Sequence, residues 1–203
     1  MILKWYNNFV DRIARKPAGK LGRQAYQEPM AHYPSFWITL DKLHLTGQDR
    51  LLEIGCGGGV FLDMALRSIN EAAAIDHSPD MIALAGERNR GAIKEGRLEL
   101  KQGDAAALPW PDNSFSCVAS TNVFFFLPEP YKVLEEIRRV LAPGGRLVIS
   151  TMSKSWKSQI WRIFPLRLYT DQELTNLLQQ AGFKNSQVTT YPDKMHQVAF
   201  ATK

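Results

Sequence analysis

Leu51-Leu52-Glu53-Ile54-Gly55-Cys56-Gly57-Gly58-Gly59-Val60 decides the reading of this chain. Leu51 to Ile54 make a short apolar strand, and three alternate glycines follow at 55, 57 and 59. Glycine lets a backbone turn sharply and approach a ligand with no Cβ in the way. A helix predicted from Val60 to Arg67 would point unpaired N–H groups back at that loop. In an open parallel sheet, ligands lie beyond the carboxyl ends of the strands. The segment therefore predicts a nucleotide-like ligand, with Glu53, Gly55, Cys56 and Gly57 as contacts. The dinucleotide fingerprint G-x-G-x-x-G/A fails here: counted from Gly55 it ends on Val60, and from Gly57 on Leu62. No G-x-x-x-x-G-K-[ST] phosphate loop occurs either.

Working outward, the second strand, Ala72 to Ile75, ends in Asp76-His77-Ser78. Asp76 stands 21 positions after Gly55, where a carboxylate can accept from both ribose hydroxyls. On its own Asp76 would serve a nicotinamide cofactor equally well. Ser78 is a natural cap for a helix over Pro79–Arg88, with proline in its first turn. Met81, one turn in, suits either the core or an adenine face. The strand 97–102 leads to Gln102-Gly103-Asp104-Ala105, where Asp104 can accept from an exocyclic amine and the adjoining N–H can donate to a ring nitrogen. The strand 115–120 leads to Thr121-Asn122, followed by Phe124, Phe125 and Phe126. Strand side chains alternate, so all three phenylalanines cannot face one core, and at least one is a candidate pocket wall.

The remaining pattern alternates in the same way. A helix is expected over 131–141, stopped by Pro143-Gly144-Gly145, then a strand over 146–151. A helix over 171–181 has Thr170 as cap, and strands near 186–191 and 197–202 form an antiparallel edge. Repeated strand–helix units require right-handed crossovers. The expected fold is α/β: a Rossmann-like, seven-stranded, mostly parallel sheet with helices on both faces and an antiparallel final strand. One domain spans 1–203, divided into a helical N-terminal arm or lid (1–45), a cofactor core (46–151), an acceptor-side insert (152–169) and a C-terminal helix with strands (170–203). Within the arm, 2–15 has helical apolar spacing, 17–30 reads as an irregular connector, and 35–45 as a helix capped by Ser35.

In this order the segments resemble the class I methyltransferases that use S-adenosylmethionine (SAM), specifically the broad type-11 group of small-molecule enzymes. The resemblance covers about residues 50–150. Glu53-x-Gly55-x-Gly57-x-Gly59 is similar to the family's cofactor loop, Ile75-Asp76-x-Ser78-x-x-Met81 to its ribose segment, Gly103-Asp104-Ala105 to its adenine segment, and Leu134 to Gly145 to the helix and turn before its fifth strand. It implies SAM as cofactor, His77 as a neighbour of the ribose site and Asn122 near the sulfonium. Asn122-Val123-Phe124-Phe125 is not the Asn-Pro-Pro-Tyr type of sequence, which argues against the amino-methylating nucleic-acid and glutamine enzymes. The outer segments distinctive of the quinone C-methyltransferases are not recognised.

Composition bounds the rest. The chain has 203 residues, 45% hydrophobic and 22% charged, as in a soluble globular protein. No apolar run approaches the ~18 residues of a membrane span, and no signal peptide is evident, so a cytoplasmic location is expected. Two lone cysteines, Cys56 and Cys117, make neither a disulfide framework nor a metal site. The net charge of +5 belongs to residues 1–25, where six basic residues face Asp11; the remainder is balanced at nineteen of each sign. The insert carries Lys154, Lys157, Arg162 and Arg167 without an acid, beside Trp156, Trp161 and Phe164.

Both varied pieces are thus basic and aromatic. They predict an apolar or aromatic small-molecule acceptor with an anionic group, or one delivered from an anionic membrane surface through residues 1–25. Nucleic acid as partner is disfavoured; an RNA methyltransferase and a non-catalytic SAM-binding regulator are the rival readings. Among four histidines, His32 in the arm is the candidate base.

Overall fold

The computed structural model describes residues 19–156 and 166–203. The predicted helix over 2–15, and Lys157, Trp161, Arg162 and Phe164 of the insert, lie outside the described residues.

The described residues form a seven-stranded sheet. Its strands are β1 (Arg50–Ile54), β2 (Glu71–Asp76), β3 (Leu98–Gln102), β4 (Phe115–Thr121), β5 (Leu141–Met152), β6 (Lys184–Thr190) and β7 (His196–Thr202), in the order β3-β2-β1-β4-β5-β7-β6. β1 pairs in parallel with β2 and β4, β2 with β3, and β4 with β5; β7 runs antiparallel to both β5 and β6. The fold is the expected one. The helices are α1 (Gly19–Gln27), α2 (Tyr33–Leu43), α3 (Val60–Ala65), α4 (Pro79–Arg88), α5 (Arg90–Lys94), α6 (Pro130–Val140) and α7 (Asp171–Gln180).

Strand alternation creates two cores. Leu52, Ile54, Ala73, Ile75, Val118, Leu147 and Ile149 pack on one face with Val133, Leu134 and Ile137 of α6 and Leu174 and Leu178 of α7. Leu51, Ala72, Ala74, Cys117, Ala119 and Val148 pack on the other with Phe36 and Leu43 of α2 and Phe61 and Leu62 of α3. Both strand faces are apolar because both are covered, as parallel sheets require. Burying one such leucine or phenylalanine contributes about 1.5–3 kcal/mol. Both cysteines are free and buried. Among the described residues no helix is long and apolar enough to cross a membrane.

Four local expectations are corrected. Pro143-Gly144-Gly145 is not a stop ahead of a strand at 146: α6 ends at Val140 and β5 begins at Leu141, with these residues inside it where its pairing with β4 is irregular. Residues 17–30 are not simply an irregular connector, because Gly19–Gln27 is helical. Two glycines weaken its intrinsic propensity, so it is held by what it docks against. Ser35 does not cap the next helix: that helix starts at Tyr33 after His32, and Ser35 is buried inside it. The phenylalanines do not continue β4, which ends at Thr121; Phe124–Phe126 is a turn of 3-10 helix. By contrast, the Ser78 hydroxyl accepts from Met81 N–H as the cap of α4, and Thr170 with Glu173 forms a reciprocal capping box on α7.

Candidate functional site

The carboxyl ends of β1, β2, β3 and β4 open into one cavity of about 550 Å³, within the range of small-ligand sites. Every residue assigned to the cofactor lines it, Glu53, Gly55, Cys56, Gly57, Asp76, His77, Met81, Asp104, Ala105 and Asn122, as does the candidate base His32. Tyr26, Pro29, Phe36, Gln102, Thr121 and Phe126 join them without having been assigned a contact.

Asp76 closes β2 and is buried. Its Oδ2 accepts from Gly57 N–H at 3.0 Å and its Oδ1 from Ser78 N–H at 2.9 Å. One carboxylate thus fixes the glycine loop to the head of α4, with lone pairs left for a ligand. The His77 ring stands 3.6 Å from Oδ1. Asp104 is exposed, and its Oδ1 accepts from Ala106 N–H at 2.9 Å, ordering the turn after β3. Met81 is fully buried yet lines the cavity, so it serves the core and the wall together.

Glu53 is the site's anomaly. It is a carboxyl on a buried strand, where Thr121 Oγ1 donates to Oε1 at 3.3 Å and Oε2 has no partner. Burial pushes its pKa well up, the Thr121 hydrogen bond opposes this, and the charge of Asp76 adds to it. An acceptor so placed needs a cationic ligand group or keeps its proton. Burial likewise raises the Cys56 thiol, which stays protonated and unreactive. Asn122 holds a left-handed backbone (φ 58°), donates its N–H to Ser150 O at 2.9 Å, and accepts from Ser35 Oγ at 3.1 Å, while its Nδ2 has no partner.

α1 packs against the glycine loop and α4, with Tyr26 lining the cavity, where the sequence predicted an irregular connector. Gly19 N–H donates to Asp80 at 2.7 Å, and Arg23 pairs with Glu87 at 2.8 Å. Arg88 donates from Nε to Gly58 O at 3.1 Å and from its other end to Gln27 O and Glu28. A side chain at Gly58 would overlap the Tyr26 carbonyl, and one at Gly57 would press on the Tyr26 ring. These two glycines are therefore required by the packing of α1 as well as by any ligand. Burial, followed by the nearby Asp76 charge, pushes Tyr26 up to about 12. The His32 ring packs edge-on against Tyr26 at 5.9 Å and Phe36 at 6.1 Å, and burial lowers its pKa.

The expected excess of cations is absent from this wall: no lysine or arginine lines the cavity among the described residues. Lys154 of the insert is paired with Glu173 at 2.7 Å, and Arg167 donates its backbone N–H to Phe125 O at 2.9 Å. Among the described residues there is also no group of three or more histidine, cysteine, aspartate or glutamate side chains able to hold a metal.

The residues fit SAM. Its net positive charge suits a cavity with three carboxyl groups and no described lysine or arginine, and Glu53 Oε2 supplies an unused acceptor. The model of the methyltransferase domain matches residues 52–149. A demethylmenaquinone methyltransferase of Lactiplantibacillus plantarum is 29% identical over 72% of this chain and 75% of its own length. A 27-O-demethylrifamycin SV methyltransferase of Amycolatopsis mediterranei is 35% identical over 53% of this chain and 40% of its own. In fold, the chain is similar to phosphoethanolamine N-methyltransferase 2 of Haemonchus contortus, solved in complex with S-adenosyl-L-methionine: TM-score 0.78, 19% identity, 98% of this chain and 60% of that one. The glycine loop, the acid ending β2 and the domain match agree on one conclusion: residues 52–149 are a class I SAM-dependent methyltransferase domain of the type-11 group, and the chain is an enzyme that draws its methyl group from SAM.

Proposed function

We propose that the chain methylates a small, flat, largely apolar acceptor, held between the lid and the Phe124–Phe126 turn. In this reading Asp76 receives the ribose hydroxyls, with His77 beside it. Met81, Asp104 and Ala105 take the adenine. Gly55, Cys56 and Gly57 approach the methionine tail, Glu53 accepts from its ammonium, and Asn122 stands at the sulfonium. SAM supplies an electrophilic methyl group on sulfur. The protein's part is position, exclusion of water and a suitable field.

The observation that carries this reading is the convergence of four strand ends on one cavity with two chemically different sides. Glu53, Asp76 and Asp104 make the floor acidic. The roof, from Tyr26, Pro29, His32, Phe36, Phe126 and Leu127, is aromatic and apolar. Two relatives are named for a quinone and for a rifamycin, which supports a ring-bearing small molecule. Isothermal titration should show SAM binding; transfer from labelled SAM to a metabolite library should label ring compounds and leave RNA unlabelled. RNA labelling would overturn the acceptor class.

Delivery of the acceptor from an anionic lipid surface follows from two features. Residues 1–25 hold the chain's net charge of +5. Beside the lid, Met30 and Trp37 are 74% and 62% exposed. Tryptophan beside basic residues suits a membrane interface. Flotation with vesicles containing phosphatidylserine should capture the protein at low salt and release it as salt rises. Absence from the vesicle fraction at low salt would overturn the surface reading.

A further inference from the structure

The N-terminal arm contributes, just before α2, one group whose chemistry the cofactor does not use. His32 lines the cavity, and among the described residues its ring makes no hydrogen bond or ion pair; its contacts are the edges of Tyr26 and Phe36. It sits one turn before Ser35, whose hydroxyl is bonded to Asn122. Helix α2 therefore ties the histidine to the strand end placed at the sulfonium. Asn122 Nδ2, a buried donor without an acceptor, stands in the same cavity wall. A hydroxyl oxygen is the group that satisfies both: it accepts from the amide and gives its proton to the imidazole.

We propose that His32 is the catalytic base for a neutral hydroxyaromatic acceptor, oriented by Asn122. The inference rests on the cavity being the methyl-transfer site. The hydroxyl oxygen forms the new bond to the methyl carbon. The sulfur–methyl bond breaks and sulfur keeps its electron pair as a neutral thioether. The hydroxyl proton passes to the His32 ring and from there to solvent. No oxidant or metal enters the balance.

The other groups around the cavity are unsuited to this task. The Tyr26 phenol and Cys56 thiol hold their protons, and in this reading Glu53 is engaged by the cofactor's ammonium. Asp76 is engaged by two backbone N–H groups, with His77 beside it, and Asp104 orders its own turn. Burial leaves His32 neutral at physiological pH, the state in which imidazole accepts a proton. The groups facing it are Tyr26 from α1 and Phe36 from α2, with Glu53, Asp76, His77 and Asp104 elsewhere around the cavity; no arginine or lysine of the described lining competes.

The test uses the full chain loaded with S-adenosylhomocysteine, and 4-nitrophenol as probe, because its ionised form has its own absorption band. At a pH below the probe's own pKa, the wild type should bind it and raise the phenolate band several-fold over free probe. His32→Gln, which accepts a hydrogen bond but takes no proton, should retain S-adenosylhomocysteine affinity within about twofold and lose the band. His32→Phe should lose both the band and most probe binding. An undiminished band in His32→Gln, or no probe binding by the wild type, overturns the assignment. Failure of the wild type to bind S-adenosylhomocysteine removes instead the cofactor reading beneath it.

Discussion

Asp76→Ala is expected to weaken SAM binding by about a hundredfold in isothermal titration calorimetry. A carboxylate accepting from two ribose hydroxyls makes two charge-assisted hydrogen bonds, each worth about 1.5–3 kcal/mol. Even the lower end, about 3 kcal/mol together, corresponds to roughly two orders of magnitude in affinity. The loss has a second source in this chain, because Asp76 also holds the N–H groups of Gly57 and Ser78. Removing it leaves two donors unpaired and frees the loop from α4. Circular dichroism should show a folded protein, since the two apolar cores are untouched. Unchanged affinity would contradict the ribose assignment.

The second large effect is a dependence of SAM affinity on pH that belongs to Glu53. In the ligand-free protein, burial first and the Asp76 charge after it hold the Glu53 pKa up, against the Thr121 hydrogen bond. A bound ammonium nearby favours the carboxylate, so binding should expel the proton. Between the ordinary carboxylate range and the raised value, affinity then rises with pH by up to about tenfold per unit. Stability of the ligand-free protein runs the other way. The folded state keeps a proton that the unfolded chain has already released, so stability falls as pH rises through that window. Titration in two buffers of different ionisation enthalpy should detect the released proton, and Glu53→Gln should abolish both the release and the slope. A flat affinity profile in the wild type would remove the ammonium contact from Glu53.

How much of this was legible before the structure depends on where each element gets its stability. Leu51–Ile54, Ala72–Ile75 and Arg146–Thr151 announce themselves because both faces are apolar and the breakers are local. Ser78 and Thr170 act through their nearest neighbours and were readable for the same reason; Pro143-Gly144-Gly145 was not, because it lies within β5 as an irregularity of the strand and not as a turn before it. α1 was not. Gly19 and Gly22 argue against a helix on propensity, and what offsets them is remote: Asp80, Glu87 and Arg88, some sixty residues on. Arg88 had no sequence signal at all, since a lone arginine at a helix end is an ordinary surface residue. The basic character of the insert was visible, but not its partial cancellation, because Glu173 meets Lys154 only in space. The Phe124–Phe126 turn was misread in form and readable in consequence: Phe124 and Phe125 are buried while Phe126 lines the cavity.

The contact between Gly58 and the Tyr26 carbonyl bears on how this sequence can drift. A glycine loop is ordinarily thought to be policed by its ligand. Here a methyl group at position 58 would collide with the Tyr26 carbonyl of α1 whether or not a cofactor is present. Substitution there is open only to lineages that also lift α1, and a retreat of Tyr26 would relax the constraint on the loop. Positions 26, 58 and 88 therefore form one inheritable unit, and a chain in which α1 has moved away should be freer to lose Gly58, while the positive φ of Gly57 still favours glycine there.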